Sequence, residues 1–333
     1  MNGVWLITGG CGFIGSNLGA YLLKNHGGIR IRVLDNLNPG SVSAMVSTIR
    51  FNCGIGDPMK KISVSIGDIK DYAACVESVE GVDTVVHLAA NTGVVQSVEN
   101  PRADMEANVI GTLNMLEASR HAGVKKFIFA SSGAPVGEVE PPIHEGKAPR
   151  PVSPYGASKL AGEGYCQAYW RSYGLPAISL RFGNVYGPGC GHKDSVVARF
   201  MRRALAGQPL EIYGDGSQTR DFIYIEDIVR AIELAGQAEL GGEVFQIATH
   251  RETMVNEMAL SIKGLIEKRT GKKVGIFFGR QRQGDVKRNY SDISKAKRML
   301  GFEPICSTDL GLEKTLEYYL REGSAGEDIL KAV

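Results

Sequence analysis

Three features of the 333-residue sequence predict an α/β protein built on a doubly wound parallel sheet. Short apolar runs that stop at Gly or Asp alternate with stretches of helical spacing through the first half, the order of a buried parallel sheet. A glycine-rich turn joins the first run to the first helix. Beyond residue 150 the texture changes, and short strands, loops and helices mix in a smaller C-terminal part. Taken in order, Val4–Thr8 reads as the first strand and Phe13–Asn25 as a helix whose apolar set is Phe13, Leu18, Tyr21 and Leu22. Ile31–Leu34 is a second strand ending at Asp35, Ile62–Ile66 a third and Thr84–Leu88 a fourth, with a helix at Tyr72–Val79. The helix Ala103–Ala122 leads into the strand Lys126–Ala130, and the helix Tyr155–Tyr173 into the strand Ala177–Arg181. Later come strands at Leu210–Tyr213, Val244–Ile247 and Val274–Phe278, and helices at Ile225–Gly236, Met254–Lys268 and Asp309–Leu320. The Gly/Asn/Ser stretch Asn36–Gly56 is expected to be a mobile loop.

Composition narrows the functional classes. An apolar fraction of 43% is ordinary for a chain with a sizeable core. Lys+Arg 38 against Asp+Glu 36 leaves no basic surplus that would suggest nucleic acid. The opening MNGVWLITGG reads as a first strand rather than a signal peptide, and no apolar run approaches a membrane span. The six cysteines form neither a C-x-x-C pair nor a cluster with metal-ligand spacing. They read as free thiols of a reducing, cytoplasmic compartment, with no metal expected.

The glycine turn is Thr8-Gly9-Gly10-Cys11-Gly12-Phe13-Ile14-Gly15. Gly9 permits the tight turn, Gly12 lets a pyrophosphate approach the backbone, and Gly15 lets the helix pack close to the strand. The helix start, at Phe13 and Ile14, offers free N–H groups to phosphate. Asp35, followed by Asn36, ends the second strand 20 residues after Gly15. A carboxylate there accepts hydrogen bonds from an adenosine ribose and repels a 2′-phosphate, so the expected cofactor is NAD rather than NADP.

Tyr155 and Lys159 lie one helical turn apart on one face. Alone, that spacing says little. Its place, after a strand ending near Ser131-Ser132 and before the next strand, gives it weight. The chain resembles the extended short-chain dehydrogenase/reductases of the NAD-dependent epimerase/dehydratase group. The resemblance is carried by TGGCGFIGS at 8–16, GDIKD at 67–71, HLAA at 87–90 and NVIGTLNMLEA at 108–118. SPYGASKLAGE at 153–163, LRFGNVYGPG at 180–189 and YGDGSQTRDFIYIEDI at 213–228 complete it. Within the group the sequence is most similar to UDP-sugar 4-epimerases. Residues 1–180 would then form a Rossmann-like NAD-binding domain with the catalytic helix. Residues 181–333 would form a mainly nucleotide-sugar-binding part that can return one strand or helix to the first.

The resemblance implies roles. Tyr155 would be the general acid/base, Lys159 would lower its pKa and hold the nicotinamide ribose, and Ser132 would hydrogen-bond the hydroxyl being oxidised at sugar carbon 4. Asp68 and Ile69 would contact adenine, and Ala89 and Ala90 would line the dinucleotide path. Asn184 and Arg220 would hold the diphosphate, Tyr213 would pack on uracil, and Arg282 and Asp285 would grip phosphate and ribose. Asn289, four places after Asp285, would border sugar carbon 2 and admit an N-acetyl group. Pairing of the helices Ala103–Ala122 and Tyr155–Tyr173 would make a homodimer.

Three departures from the family pattern bear on the chemistry. After Ser131-Ser132 the chain reads Gly133-Ala134-Pro135-Val136-Gly137, with Val136 where a Tyr is usual. Gly133-Ala134 carries no acid/base pair, which disfavours water elimination. Gly191-His192 stands where uronic-acid epimerases often carry Arg, leaving Lys193 or His192 as the available cations. A C4-oxidising decarboxylase, dehydratase or reductase, and a non-catalytic sensor of NAD or a nucleotide sugar, are the alternatives.

Overall fold

The computed structural model describes residues 2–54, 56–281 and 286–331, with no side-chain detail for His192 or for 322–331. The first half runs β1 (Asn2–Thr8), α1 (Phe13–Asn25), β2 (Gly28–Asp35), α2 (Val42–Cys53), β3 (Ile62–Ile66), α3 (Tyr72–Val79), β4 (Thr84–His87), α4 (Val94–Glu99) and α5 (Pro101–Met105). A π-helical turn (Glu106–Ile110) then leads to α6 (Gly111–His121), β5 (Lys126–Ser132), α7 (Pro154–Tyr173) and β6 (Ala177–Phe182). The remainder runs β7 (Asn184–Tyr186), α8 (Val196–Leu205), β8 (Leu210–Tyr213), β9 (Thr219–Arg220), β10 (Phe222–Tyr224) and α9 (Ile225–Gln237). It ends with β11 (Glu243–Ile247), β12 (Thr253–Met254), α10 (Val255–Thr270), β13 (Ile276–Gly279), α11 (Ser294–Leu300) and α12 (Thr308–Lys331).

Seven strands form one sheet in the order β11-β6-β5-β4-β1-β2-β3, every pairing parallel. Strand β11 comes from the C-terminal part and closes the β6 edge, with Glu243 opposite Ile178. Helices cover both faces, as a sheet apolar on both sides requires. On one face α3, α6 and α7 pack over Leu6, Val85, Phe127 and Phe129. On the other, α1 and α9 pack over Ile7, Val86, Ile128 and Ile178, and this core continues into the C-terminal part.

Two expectations are corrected. The stretch 36–56 is not one loop, because Val42–Cys53 is helical. Ser41 caps it by accepting from Ala44 N at 3.1 Å, and Met45, Thr48 and Ile49 bury one face against α1. Its Ser/Asn/Gly-rich flanks masked a four-residue apolar spacing. The single helix read at Ala103–Ala122 is interrupted by the π turn, where the Asn108 side chain bonds to the backbone of Asn91 in both directions, at 2.8 and 2.9 Å. Such a widened turn aims side chains away from the regular helical stripe.

Helix α7 carries the features that seat it. Ser153 caps it by accepting from Gly156 N at 3.1 Å, Pro154 occupies the first turn, and Gly174 ends it at φ +73°. Below it, Glu163 takes hydrogen bonds from Arg181 Nε at 2.8 Å, Arg181 Nη2 at 2.6 Å and Ser131 Oγ at 2.5 Å. All three side chains are buried, so the ion pair is screened little by solvent. Removing one partner strands the other charge. Glu163→Ala is therefore expected to lower unfolding free energy by ~3–5 kcal/mol. Urea denaturation followed by circular dichroism tests this, and a loss below ~1 kcal/mol, the range of an exposed pair, would show that the cluster holds nothing.

Candidate active site

The glycine turn has the geometry that its residue types anticipate. Gly9 sits at φ +68°, and a Cβ there would lie 2.8 Å from the Ala89 backbone nitrogen. A Cβ at Gly15 would lie 2.5 Å from Gly10 Cα. The backbone after β4 thus excludes a side chain at Gly9, and the close approach of α1 to the turn excludes one at Gly15. Gly12 stands at the N-cap of α1 with no side-chain cap, which leaves first-turn N–H groups for an anion. Asp35 is buried at the end of β2. Its Oδ2 accepts from Cys11 N at 2.9 Å and its Oδ1 from Leu37 N at 2.7 Å. It therefore braces the glycine turn as well as bordering the cleft, a second role not read from the sequence.

One cleft with a volume of ≈ 600 Å³ runs from this turn to the start of α7. Gly9, Gly12, Phe13, Ile14 and Gly15 line one end, with Asp35, Asn36, Asp68 and Ile69 beside them. Asn36 Nδ2 donates to Asp68 Oδ2 at 3.2 Å, joining the two loops of that wall. Ala89 and Ala90 line the middle, and Tyr155 and Lys159 the far end. The loop after β2, at Asn38-Pro39-Gly40, also lines it.

At the far end, Lys159 Nζ donates to the Ala130 carbonyl at 2.9 Å and lies 4.8 Å from the Phe129 ring centre. Burial lowers its pKa to about 8, against Asp104, whose charge raises it. Burial raises the half-buried Tyr155 phenol to about 12, while the Ser132 hydroxyl, hydrogen-bonded to it, pulls the other way. Lys159 was expected to lower the phenol, but here the ammonium is turned to a carbonyl and sits 5.9 Å from the ring centre. Desolvation wins, so a further positive charge has to enter the cleft before phenolate is favoured at neutral pH. Ser132 ends β5, and its Oγ accepts from Ala134 N at 3.2 Å. Val136 is fully buried, so the residue replacing the usual Tyr packs in the core.

Two neighbours of the pair, His87 and Asp104, were not assigned roles from the sequence, and a third, Lys193, was read only as an available cation. His87 is buried between Thr8 Oγ1 at 2.8 Å and Thr112 Oγ1 at 3.1 Å, and burial lowers it to about 3, so it is neutral. Asp104 is buried on α5, which packs on α7, and burial raises its carboxyl. Lys193 lines the cleft on the loop after β7, with Nζ 3.4 Å from Thr92 Oγ1. Asn17 ties this loop to α1 by donating to the Pro188 carbonyl at 2.8 Å. Burial and Lys193 both lower Lys159, which places two cations at one end of the cleft. The only sequence signal for the first two was their presence in or next to the HLAA and NVIGTLNMLEA stretches.

Asn184, Tyr213, Arg220 and Asn289, expected at the sugar nucleotide, lie in the C-terminal part and do not line this cleft. Asn184 is on β7, Tyr213 ends β8 and Arg220 is on β9. Arg199 stacks on the Tyr213 ring at 4.5 Å, and Arg220 Nη1 donates to the carbonyls of Thr219 and Val286, each at 2.7 Å. Asn289 is half-buried between Arg288, which pairs with Glu252 at 2.8 Å, and Tyr290. Arg282 and Asp285 lie outside the described residues.

The sequence model of the NAD dependent epimerase/dehydratase family matches residues 5–248. The chain belongs to this family. It is 35% identical over 318 residues to a UDP-glucuronate 4-epimerase of Thermodesulfobacterium geofontis, covering 95% of this chain and 96% of that one. A crystal structure of UDP-glucose 4-epimerase with UDP-glucose from Thermotoga maritima superposes with a TM-score of 0.85 at 37% identity, covering 96% and 99% of the two chains. The UDP-glucuronic acid 4-epimerase of Bacillus cereus, in complex with UDP-glucuronic acid and NAD, gives 0.83 at 31% identity, with 96% and 99% covered. The family member described here is an NAD-dependent enzyme of the isomerase type, and its glycine turn, helix start and Asp35 suit that cofactor. Nucleotide released on denaturing the purified protein should be NAD, with little or none from Gly15→Val. Chromatography of the supernatant decides, and NADP in the parent would overturn the Asp35 argument.

Proposed function

We propose that the chain is a UDP-sugar 4-epimerase acting through Tyr155, Lys159 and Ser132. The observation that carries this reading is the meeting of those three side chains at one end of the NAD cleft, where Gly133-Ala134 offers no acid/base pair. The space beside Gly133 is open, since a Cβ there would meet nothing within 4 Å. Bound NAD supplies the hydride acceptor and donor that oxidise sugar carbon 4 and reduce it again. Tyr155 Oη takes the proton of the C4 hydroxyl and gives it back, and the Ser132 hydroxyl holds the same sugar oxygen. Lys159 keeps a positive charge beneath the reacting groups and hydrogen-bonds the nicotinamide ribose. Asn184, Tyr213, Arg220, Arg282 and Asp285 hold the UDP moiety, and Asn289 admits an acetamido group at carbon 2.

A second reading of the sugar follows from Lys193. Among the described residues no carboxylate lies within ion-pair distance of it, so a uronate carboxylate suits it. The test is a panel of UDP-glucose, UDP-N-acetylglucosamine and UDP-glucuronate without added cofactor. The parent should interconvert C4 epimers, and Tyr155→Phe should lose ~10²–10⁴-fold in kcat with NAD retained. Lys193→Ala should lower kcat/KM for UDP-glucuronate more than for UDP-glucose. A dehydrated or decarboxylated product would sink the epimerase reading.

We assign the enzyme to the cytoplasm as a homodimer. All six thiols are free, and no helix among the described residues is long and apolar enough to cross a membrane. Met105, Ile110, Tyr165 and Tyr173, on and between α5 and α7, are exposed, as are Val94, Val95 and Val98 on α4. Pairing these helices would cover them. Light scattering at micromolar concentration should give twice the 35.9 kDa chain mass, and a single chain's mass rules the dimer out.

A further inference from the structure

Lys193 stands on a loop that cannot hold it alone. The segment Gly187-Pro188-Gly189-Cys190-Gly191 runs up to His192 and Lys193, and its glycines leave that backbone little preference of its own. Gly187 and Gly189 lie at φ +148° and +85°. Two local turns shape it. Cys190 N donates to the Gly187 carbonyl at 3.2 Å, and Lys193 N to the Cys190 carbonyl at 2.9 Å. The remaining restraint comes from side chains of other elements. At the start of the loop, Asn17 donates to the Pro188 carbonyl from α1. In its middle, the buried Cys190 Sγ lies 3.7 Å from the Tyr319 hydroxyl of α12.

At the end of the loop the restraint is Arg202. It is half-buried in the last turn of α8, the helix that begins at Val196. One guanidinium nitrogen, Nη1, donates to the carbonyls of both Gly191 and Lys193, the second at 2.6 Å. An arginine in a last turn ordinarily serves its own helix end. This one turns back along α8 and holds the two carbonyls that flank His192. Bonds of this kind carry a full charge on the donor and are stronger than neutral ones. From that anchored backbone Lys193 reaches the cleft, where its Nζ lies 3.4 Å from Thr92 Oγ1, at the far limit of a hydrogen bond. A lysine is a point charge on a flexible stem, so the place of its ammonium depends on where its backbone is held.

We propose that Arg202 is a positioning residue of the sugar end of the cleft, its hold on the Gly191 and Lys193 carbonyls setting where the Lys193 ammonium stands. The proposal rests on the reading of Lys193 as the partner of a uronate carboxylate. Arg202 does not itself line the cleft and acts through Lys193.

The test has two readouts on the NAD-loaded protein. The first is reductive methylation with formaldehyde and cyanoborohydride, followed lysine by lysine by peptide mass spectrometry. In Arg202→Met, Lys193 should label severalfold faster than in the parent, while Lys126, buried on β5, keeps its rate. An unchanged Lys193 rate overturns the proposal. So does a matching rise at Lys126, the mark of a general loosening. The second readout is the ratio of kcat/KM for UDP-glucuronate to that for UDP-glucose. Arg202→Met should lower it on the order of tenfold, and adding Lys193→Ala should lower it no further, because the two residues act as one unit. A parent-like ratio in Arg202→Met where Lys193→Ala lowers it overturns the proposal, as does a double variant that falls by the product of the single effects. Should Arg202→Met fail to fold, Arg202→Gln, which is shorter and uncharged, takes its place with the same expectations. Faster labelling of Lys193 in Arg202→Met, together with a parent-like sugar ratio in Lys193→Ala, leaves Arg202 in its role and overturns the uronate reading instead.

Discussion

Helix α7 lies so near β5 that a Cβ at Gly162 would meet the Phe129 ring at 2.4 Å. That approach is held from below by Glu163, which gathers Ser131 from the end of β5 and Arg181 from the end of β6 onto one carboxylate. Because Tyr155 and Lys159 precede Glu163 on the same helix, fixing Glu163 at the strand ends also fixes them over the carboxyl edge of the sheet. Nucleotides bind at that edge in doubly wound folds, where helix starts converge. The same docking brings Lys159 within hydrogen-bond distance of the Ala130 carbonyl. A helix held this tightly leaves the Tyr155 and Lys159 side chains little freedom to shift relative to the cleft.

Closeness has an electrostatic consequence. Burial disfavours charge on both members of the pair, raising the phenol and lowering the ammonium. The protein alone therefore favours a neutral phenol at physiological pH, and a positive charge entering the cleft would favour phenolate. Lys193, on the loop after β7, adds a second positive charge at the same end of the cleft. Asp35, with one oxygen on Cys11 N of the glycine turn and the other on Leu37 N of the loop after β2, couples the shape of the turn to the loop that borders the cleft.

The C-terminal part is joined to the sheet through packing. Strand β11 extends the sheet beyond β6, α9 packs on α1, and the core on that face is continuous into α8 and α10. The sequence showed most of this as a sequence of elements. Phe13–Asn25, Ile62–Ile66, Tyr72–Val79 and Leu210–Tyr213 have the predicted bounds. Helices α2, α4 and α8 were not read, for different reasons. Serines and β-branched residues obscured α2, α4 is six residues long, and α8 follows a Gly-rich loop that resembles a continuing turn. The π turn has no local signature, because it is defined by what Asn108 bonds to across the fold.

By itself the sequence determined the order of strands and helices, the cofactor turn and the candidate pair Tyr155 and Lys159. Those features depend on local spacing: glycines where a Cβ cannot fit, apolar periodicity, and two residues one helical turn apart. Tertiary structure alone decided what surrounds the pair. Lys193 lines one end of the cleft while Asp104 and His87 are buried in the surrounding elements α5 and β4, and no spacing in the chain relates them. It also decided the direction of the Tyr155 shift, because desolvation depends on how many groups pack around the phenol, and those groups come from distant parts of the chain.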